Sequence, residues 1–261
     1  MTEIKKKTIQ EIKALLADVP TIDMLDAHPD RNDTRKGVQA AFRSRRKQLE
    51  KQEQLVKQYA RMSRYEQDIL ERQPDALICG IDEVGRGPLA GPVVASAVIL
   101  EPNHQHIGIN DSKQLNAEKR EVLNQSLKEN VRSWGIGVAT VEEIDTLNIY
   151  EATKLAMYRA IEDLSVTPTH YLIDAMTLEQ LKAPQQNIIK GDANSVSIAA
   201  ASIIAKVYRD DLMGAYAKDY PGYDFEHNAG YGTAKHLAGL ESQGICPIHR
   251  LSFEPIKSRY K

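Results

Sequence analysis

Ile81-Asp82-Glu83-Val84-Gly85-Arg86-Gly87-Pro88-Leu89-Ala90-Gly91-Pro92 joins two apolar runs, residues 76–81 ahead of it and 93–100 behind it. Each run has the length and β-branched content of a buried strand. Two adjacent carboxylates therefore stand at the end of a core strand, where burial is costly unless the charge is paired or binds a metal. Strand side chains alternate between faces, so Asp82 and Glu83 share one site only if the strand ends or twists at Glu83, where the glycines begin. Gly85 and Gly87 let backbone approach a ligand with no Cβ in the way, and Arg86 between them is a planar cation suited to phosphate. The plain alternative is a surface hairpin with a solvated acidic pair, which leaves carboxylates at the end of a buried strand unexplained. A phosphate-cradling P-loop is excluded because no Gly-Lys-Ser/Thr leads into a helix.

Outward from this stretch, strands alternate with helices from Asp75 onward, the pattern of an α/β domain. A polar loop at residues 109–115 precedes a helix over 116–130 capped by Asn116, and residues 134–139 form a short strand. Tyr150, Thr153, Met157, Ala160, Ile161 and Leu164 recur at helical spacing and belong to the core. Residues 170–174 form a strand ending in Asp174, and residues 187–192 a further one ending in Asp192. In open α/β sheets functional groups collect at strand ends, which brings these carboxylates toward Asp82 and Glu83. Beyond Asp192, Val196, Ala199, Ala200, Ile203, Ile204 and Val207 share one face of a helix, leaving Lys206 and Arg209 on the other side free to reach phosphate or simply to be solvated. The loop-rich end, residues 220–261, carries Tyr231 between glycines, placed to stack on a sugar or base or to pack half-buried.

The first 74 residues differ in character. They read as a basic helical extension ahead of a catalytic domain over residues 75–261. A short amphipathic helix starts at Ile4 and carries Ile9, Ile12 and Leu16, and a longer helical pattern runs from about Val38 to Glu71. Residues 36–64 hold nine Lys/Arg against Glu50 and Glu53, either a solvated face or a nucleic-acid contact. The extension does not read as a stable domain by itself.

A chain of 261 residues with 42% hydrophobic and 27% charged residues has the balance of an ordinary globular protein. Its apolar runs are too short to span a membrane, and its Lys-rich start lacks the apolar region of a signal peptide, so a cytoplasmic protein without membrane contact is expected. Cys79 and Cys246 are far apart and lack metal-ligand spacing, which argues against a zinc site. Four carboxylates at the ends of three strands, without a convincing nucleophilic Ser or Cys, point instead to hard divalent cations held by oxygen. Two such ions about 4 Å apart can activate water and clamp a phosphodiester, which is nuclease chemistry.

Asp82-Glu83-Val84-Gly85-Arg86-Gly87, Asn110-Asp111-Ser112-Lys113, Asp174, Lys190-Gly191-Asp192 with Ala199-Ala200-Ala201-Ser202-Ile203, Gly230-Tyr231-Gly232-Thr233 and His249-Arg250-Leu251-Ser252-Phe253 together resemble ribonuclease HII, the type 2 ribonuclease H, in motif order over residues 76–256. The resemblance implies a ribonuclease H-like mixed β-sheet flanked by helices. It implies Asp82, Glu83, Asp174 and Asp192 as a catalytic tetrad binding Mg2+ or Mn2+. The implied activity is cleavage of the RNA strand of RNA/DNA hybrids, and 5′ of single ribonucleotides embedded in duplex DNA, leaving 3′-hydroxyl and 5′-phosphate. The implied partners are those two duplexes, bound by a monomer. Gly85, Arg86 and Gly87 would read the ribose 2′-hydroxyl, which alone separates RNA from DNA at one sugar. Tyr231 would pack on the following deoxyribose, while Asn110, Ser112 and Lys113 would hold backbone phosphates. Two departures stand out: residue 229 is Ala where the family often has Lys, and the basic extension lies outside the common core. The rival readings are ribonuclease HIII, whose loop resembles Gly-Thr-Gly and which carries a folded platform domain, and a non-catalytic nucleic-acid binding module.

Overall fold

The computed structural model describes residues 7–110, 112 and 115–260, and the chain divides into two compact units, residues 1–60 and 61–261. The expected helix start at Ile4 lies outside the described residues. The first unit holds α1 (Ile9–Ala17), α2 (Ile22–Asp26) and most of α3 (Lys36–Met62). Thr8 and Glu11 form a capping box that opens α1, and the Thr21 side chain caps α2, so both short helices have their first N–H groups satisfied. Ile12, Leu16, Val19, Leu25, Val38, Ala41, Phe42 and Leu49 are buried together. The extension, which did not read as a stable domain by itself, has this buried cluster of its own. Its apolar positions are scattered over three helices, and only their mutual packing makes one cluster of them.

In the second unit, α4 (Arg64–Leu70) begins after Ser63, so the expected continuous helix over 38–71 is two helices. The second compact unit begins at residue 61 and includes α4, whose Ile69 packs with Ile78, Leu172, Ile188 and Ile198 of the sheet. Then follow β1 (Ile78–Val84), β2 (Val93–Ile99), α5 (Ala117–Asn130), β3 (Ser133–Ala139), α6 (Val141–Leu147) and α7 (Ile149–Glu162). β4 (His170–Asp174), β5 (Gln185–Ile188), α8 (Gly191–Asn194), α9 (Val196–Asp219), α10 (Phe225–Asn228), α11 (Ala234–Gln243) and α12 (Ile256–Arg259) complete it. The expected strand over 187–192 is corrected: the chain leaves β5 at Ile188, turns left-handed at Lys190, and carries Asp192 on the single helical turn α8. No helix among the described residues is long and apolar enough to cross a membrane.

The five strands lie in the order β3-β2-β1-β4-β5. β1 pairs antiparallel with β2 and β2 with β3, while β1–β4 and β4–β5 are parallel, giving a mixed sheet flanked by helices. Alternation along the strands assigns the two faces. Cys79 and Ile81 of β1, with Tyr171 and Ile173 of β4, pack into the cluster that contains Ala152, Ala156, Met157 and Ala160 of α7. Gly135 and Gly137 of β3 let α7 approach, since a Cβ at Gly137 would stand 1.9 Å from the Ala156 carbonyl oxygen. On the other face α9 lies so close to β1 that a Cβ on Gly80 would stand 2.1 Å from the Ser197 backbone. Asp82 is two residues on from Gly80 and shares its face. The first ten residues of α9, from Val196 to Ala205, are all buried, as befits the central helix of the domain.

The N-terminus of α9 receives a carboxylate from another helix. Glu66 of α4 is 4% exposed, and its Oε1 accepts from the Ser195 hydroxyl at 2.6 Å, the Ser197 hydroxyl at 2.6 Å and the Ser197 backbone N–H at 3.1 Å. Burial raises its pKa, whereas these donors lower it. A negative group suits the positive end of a helix. Glu66→Ala would strand buried donors and is expected to cost about 2–3 kcal/mol of stability, read as a lower denaturant midpoint. Glu66→Gln keeps an acceptor oxygen and is expected to lose less; equal midpoints for the Ala variant and the parent would disprove the brace.

Candidate active site

The β1–β4 register places the acidic residues. The last paired positions are Ile81 and Ile173 on adjacent parallel strands, so Asp82 and Asp174 follow as the next residues on both, with side chains on the α9 face. Of the two expected ways for Asp82 and Glu83 to share a site, a strand end at Glu83 or a twist there, the first does not occur: β1 continues to Val84, with Glu83 opposite Ala95. The two carboxylates nevertheless interact. Asp82 is 4% exposed, and its pKa is raised well above the ordinary Asp range by burial and by the charges of Glu83 and Asp174. The Ser202 hydroxyl and the Glu83 N–H, the latter at 2.8 Å, work in the opposite direction. Glu83 is likewise raised, mainly by burial, with Arg86 opposing. Asp174 Oδ1 accepts from the Gly191 N–H at 2.7 Å, which ties the end of β4 to the turn carrying the buried Asp192.

These residues fit a hard divalent cation. The charges of Glu83 and Asp174 raise the proton affinity of Asp82, that of Asp174 also raises that of Glu83, and Glu83 Oε2 is buried without a hydrogen-bond partner. An uncompensated buried anionic oxygen is costly, and a cation supplies the missing partner. A second group, Asp224, Glu226 and His227, offers ligand atoms within 4.8 Å of one another, so this acidic/His cluster could also hold a divalent metal. It is largely exposed, and its carboxylate Asp224 is already bonded to His227 and Lys235.

The loop after β1 is gripped from beneath by two buried guanidinium groups. Arg250 donates to the carbonyl oxygens of Gly85 at 2.5 Å, Arg86 at 2.9 Å and Gly91 at 2.7 and 2.9 Å. Arg209 donates to those of Ala90, Pro92 and Ala229. Burial lowers their pKa values to about 9 and about 10, which leaves both protonated at neutral pH. In a trans peptide the N–H points opposite to the C=O. With the Gly85 and Arg86 carbonyls turned inward to Arg250, the N–H groups of Arg86 and Gly87 point the other way. Gly85 is buried at φ +93°, and a Cβ there would meet Arg209 Nε at 2.1 Å, so this glycine serves the fold rather than a ligand. Gly87 is exposed, and a Cβ there would lie 3.4 Å from a Tyr231 ring carbon. The half-exposed Tyr231 ring thus stands directly beside the loop.

Other expected contacts need correction. Arg209 is fully buried and bound to carbonyls, so it is not free to reach phosphate. Lys206 is paired with Asp210 at 2.6 Å, and Asp210 also receives Arg120. Ser112 is turned inward, with its hydroxyl 2.9 Å from that of Ser202, which joins it to Asp82 rather than presenting it to a phosphate. Asn110 is half-buried, and Lys113 lies outside the described residues. Arg86 is exposed but leans 3.5 Å from Glu83. Ser202 and Arg250 stood in the quoted motifs without a role. Periodicity assigns Ser202 to a packed helix face, and an arginine in a loop ordinarily reads as solvated.

The ribonuclease HII family model matches residues 79–256, and the model of the ribonuclease HII N-terminal domain matches residues 8–70. Ribonuclease HII of Staphylococcus carnosus is 59% identical over 251 residues, covering 96% of each chain. That of Staphylococcus epidermidis is 58% identical, covering 97% of this chain and 99% of its own. The crystal structure of ribonuclease H2 from Pyrococcus horikoshii superposes with a TM-score of 0.60 at 25% identity, covering 69% of this chain and 95% of its own.

The repulsion within the acidic cluster makes a prediction about the metal-free protein. Asp82 has a folded-state pKa above the ordinary Asp value of 3.8, so its favourable contribution is complete below that pH and is lost as pH rises through the raised value. In chelator near neutral pH, Asp82→Asn removes the buried charge and is expected to raise the melting temperature, with a smaller gain in acid. Added Mg2+ or Mn2+ is expected to stabilise the parent more than the variant. A variant that melts below the parent in chelator would show that the cluster is not strained.

Proposed function

We infer, because the chain belongs to the ribonuclease HII family, that its acidic cluster and glycine loop form one active site for ribonucleotide-containing duplexes. The protein is a metal-dependent endoribonuclease acting on RNA/DNA hybrids and on ribonucleotides embedded in DNA. The observation that carries the site assignment is the closeness of Gly87 to Tyr231, on a loop that begins beside the buried Asp82 and the half-buried Glu83 and Asp174.

Asp82, Glu83, Asp174 and Asp192 would hold Mg2+ or Mn2+, which supply Lewis acidity and an activated water when bound. The chain's own part is selection and orientation. The outward N–H groups of Arg86 and Gly87 offer donors to a 2′-hydroxyl, and the lack of a Cβ on Gly87 lets a sugar come close. The Tyr231 ring occupies the space beside them and packs on the next sugar, where a second 2′-hydroxyl would collide. A site built around a hydroxyl leaves polar groups unpaired when that hydroxyl is absent, which discriminates strongly against plain DNA. Within the N-terminal unit, Arg45 donates to the Val19 carbonyl and Arg46 pairs with Asp26, while Arg43 and Lys47 are exposed one helical turn apart. These two exposed cations are the best placed to meet backbone phosphates.

A DNA duplex with a single ribonucleotide is expected to be cut on its 5′ side, leaving 3′-hydroxyl and 5′-phosphate, while all-DNA duplex stays intact. Gly87→Ala fits the free protein, since the added Cβ makes an ordinary contact with Tyr231. Its expected effect is therefore loss of cleavage at the junction with unchanged melting temperature and metal binding. Asp174→Asn is expected to lower turnover by orders of magnitude while duplex binding persists. Cleavage of long hybrids without cleavage at a single ribonucleotide would overturn the assignment of the loop. In the full chain, Arg43→Gln with Lys47→Gln is expected to flatten the salt dependence of binding by about 0.9 per lost phosphate contact; an unchanged slope would assign both to a solvated face.

A further inference from the structure

Beneath Tyr231 lies a pair of buried histidines that the reading above does not use. His236 of α11 is 0% exposed and His249 is 2% exposed, and their Nε2 atoms are 3.0 Å apart. Tyr223 and Phe225 enclose them, with Tyr223 5.0 Å from His249 and Phe225 5.1 Å from His236 between ring centroids, both edge-on. Burial lowers the pKa of both imidazoles, that of His249 to about 4.

The backbone at either end fixes where the two ring protons lie. His249 Nδ1 lies 2.8 Å from the Cys246 backbone N–H, 3.1 Å from the Cys246 sulfur and 3.2 Å from the Cys246 carbonyl oxygen. The N–H makes the shorter contact and only donates, so His249 Nδ1 accepts it and carries its proton on Nε2. That proton is donated to His236 Nε2, which must therefore be bare. The proton of His236 is then on Nδ1, 2.9 Å from the Tyr231 carbonyl oxygen, which only accepts. Donors and acceptors match in one direction from the Cys246 N–H to the Tyr231 carbonyl, with the longer contact to the Cys246 carbonyl unused. The opposite arrangement gives His249 Nδ1 only the longer contact to the Cys246 carbonyl and sets a His236 lone pair against the Tyr231 carbonyl, which only accepts.

We infer that His236 is a positioning residue for Tyr231, and that His249 acts through it by holding the tautomer in which Nδ1 donates to the Tyr231 carbonyl. The loop offers this peptide few other anchors. Tyr231 N–H donates to the Asn228 carbonyl and its carbonyl also receives the Thr233 N–H, while Asn228 itself is bound to Gly230 N–H and the Tyr223 carbonyl. The ring is half-exposed at the surface, so its direction depends on these backbone bonds rather than on surrounding side chains. The inference rests on Tyr231 as the residue that packs on the sugar following the ribonucleotide. Its consequence is that the histidine relay, remote from the acidic cluster in sequence and untouched by substrate, sets the preference for deoxyribose at that position.

Two amide substitutions separate positioning from core filling. In His236→Asn the side-chain amide lies where Nδ1 was, and it can still donate to Tyr231 while losing His249. In His236→Gln the amide lies where Nε2 was, and it can still accept from His249 while losing Tyr231. The reading is the ratio of kcat/KM for a duplex with one embedded ribonucleotide to that for a duplex with a run of ribonucleotides. His236→Gln is expected to lower this ratio about tenfold, the effect of one net hydrogen bond, and His236→Asn to leave it within about twofold. Equal changes in both variants would overturn positioning in favour of packing. Tyr231→Ala run in parallel tests the premise. An unchanged ratio there would remove the role of the tyrosine, whereas a changed ratio there with none in His236→Gln would remove only the role of the histidine. Nitrogen NMR of the imidazoles in the full-length parent gives a reading independent of activity. Protons on His236 Nδ1 and His249 Nε2 support the relay, and any other assignment overturns it.

Discussion

Asp82 is buried beside Glu83 and Asp174, whose charges raise its pKa, and it cannot relax away from Asp174, because parallel pairing of β1 with β4 fixes the two as neighbours and α9 packs closely over the face that Asp82 shares with Gly80. Buried like charges are costly, and a fold keeps them only if the surrounding structure over-determines their position. The surroundings do so here. Gly80 admits the α9 backbone, Ser202 reaches Asp82 from α9, and Ser112 reaches Ser202 in turn. At the head of α9, Glu66 meets Ser195 and Ser197. The domain's central helix is therefore held at its first turn by one carboxylate and, two turns on, supports another.

The glycine loop obeys the opposite electrostatics. Two fully buried arginines lie beneath it, and their donors are spent on carbonyl oxygens, chiefly of residues 85–92. Guanidinium groups suit this task because their planar fork makes several bonds from one side chain. Positive charge beneath the loop and negative charge at the adjacent strand ends give the surface both of the things a phosphodiester reaction asks for: a place attractive to cations and a place attractive to anions.

Much of this was legible in the chain. The strands around residues 78–84 and 93–99, the paired carboxylates and Asp174 followed from apolar runs broken by charge and glycine, and the exposure of Tyr231 from its two flanking glycines, because strand burial and turn chemistry are local properties. What stayed hidden depends on contacts far apart in sequence. Arg209 falls on the polar side of a helical wheel, and only the position of the loop makes that side interior. Ser112 sits in a polar loop, and only α9 turns it inward. Glu66 belongs to a charged helix and is buried by residues 129 and 131 positions further on. Asp192 lies on a helical turn rather than a strand end because Lys190 takes the left-handed conformation, which a short apolar run does not announce. The N-terminal unit was hidden for the same reason, since its core is assembled from three weak stripes.

Gly85 and Gly87 look equivalent in the sequence, and the structure gives them different work. Gly85 has positive φ and no room for a Cβ because Arg209 fills that place. A side chain there would disturb the buried guanidinium, and through it the carbonyls of Ala90, Pro92 and Ala229. Gly87 has neither constraint: its φ is ordinary and its neighbour is an exposed tyrosine at contact distance. A glycine that the free fold does not require is explained by what approaches it from outside. The same distinction sorts the rest of the site, since Arg250, Arg209 and the histidine pair spend their hydrogen bonds inward, whereas the Arg86 and Gly87 N–H groups and the Tyr231 ring face outward. Selectivity for one sugar therefore rests on outward groups whose directions are set by inward ones.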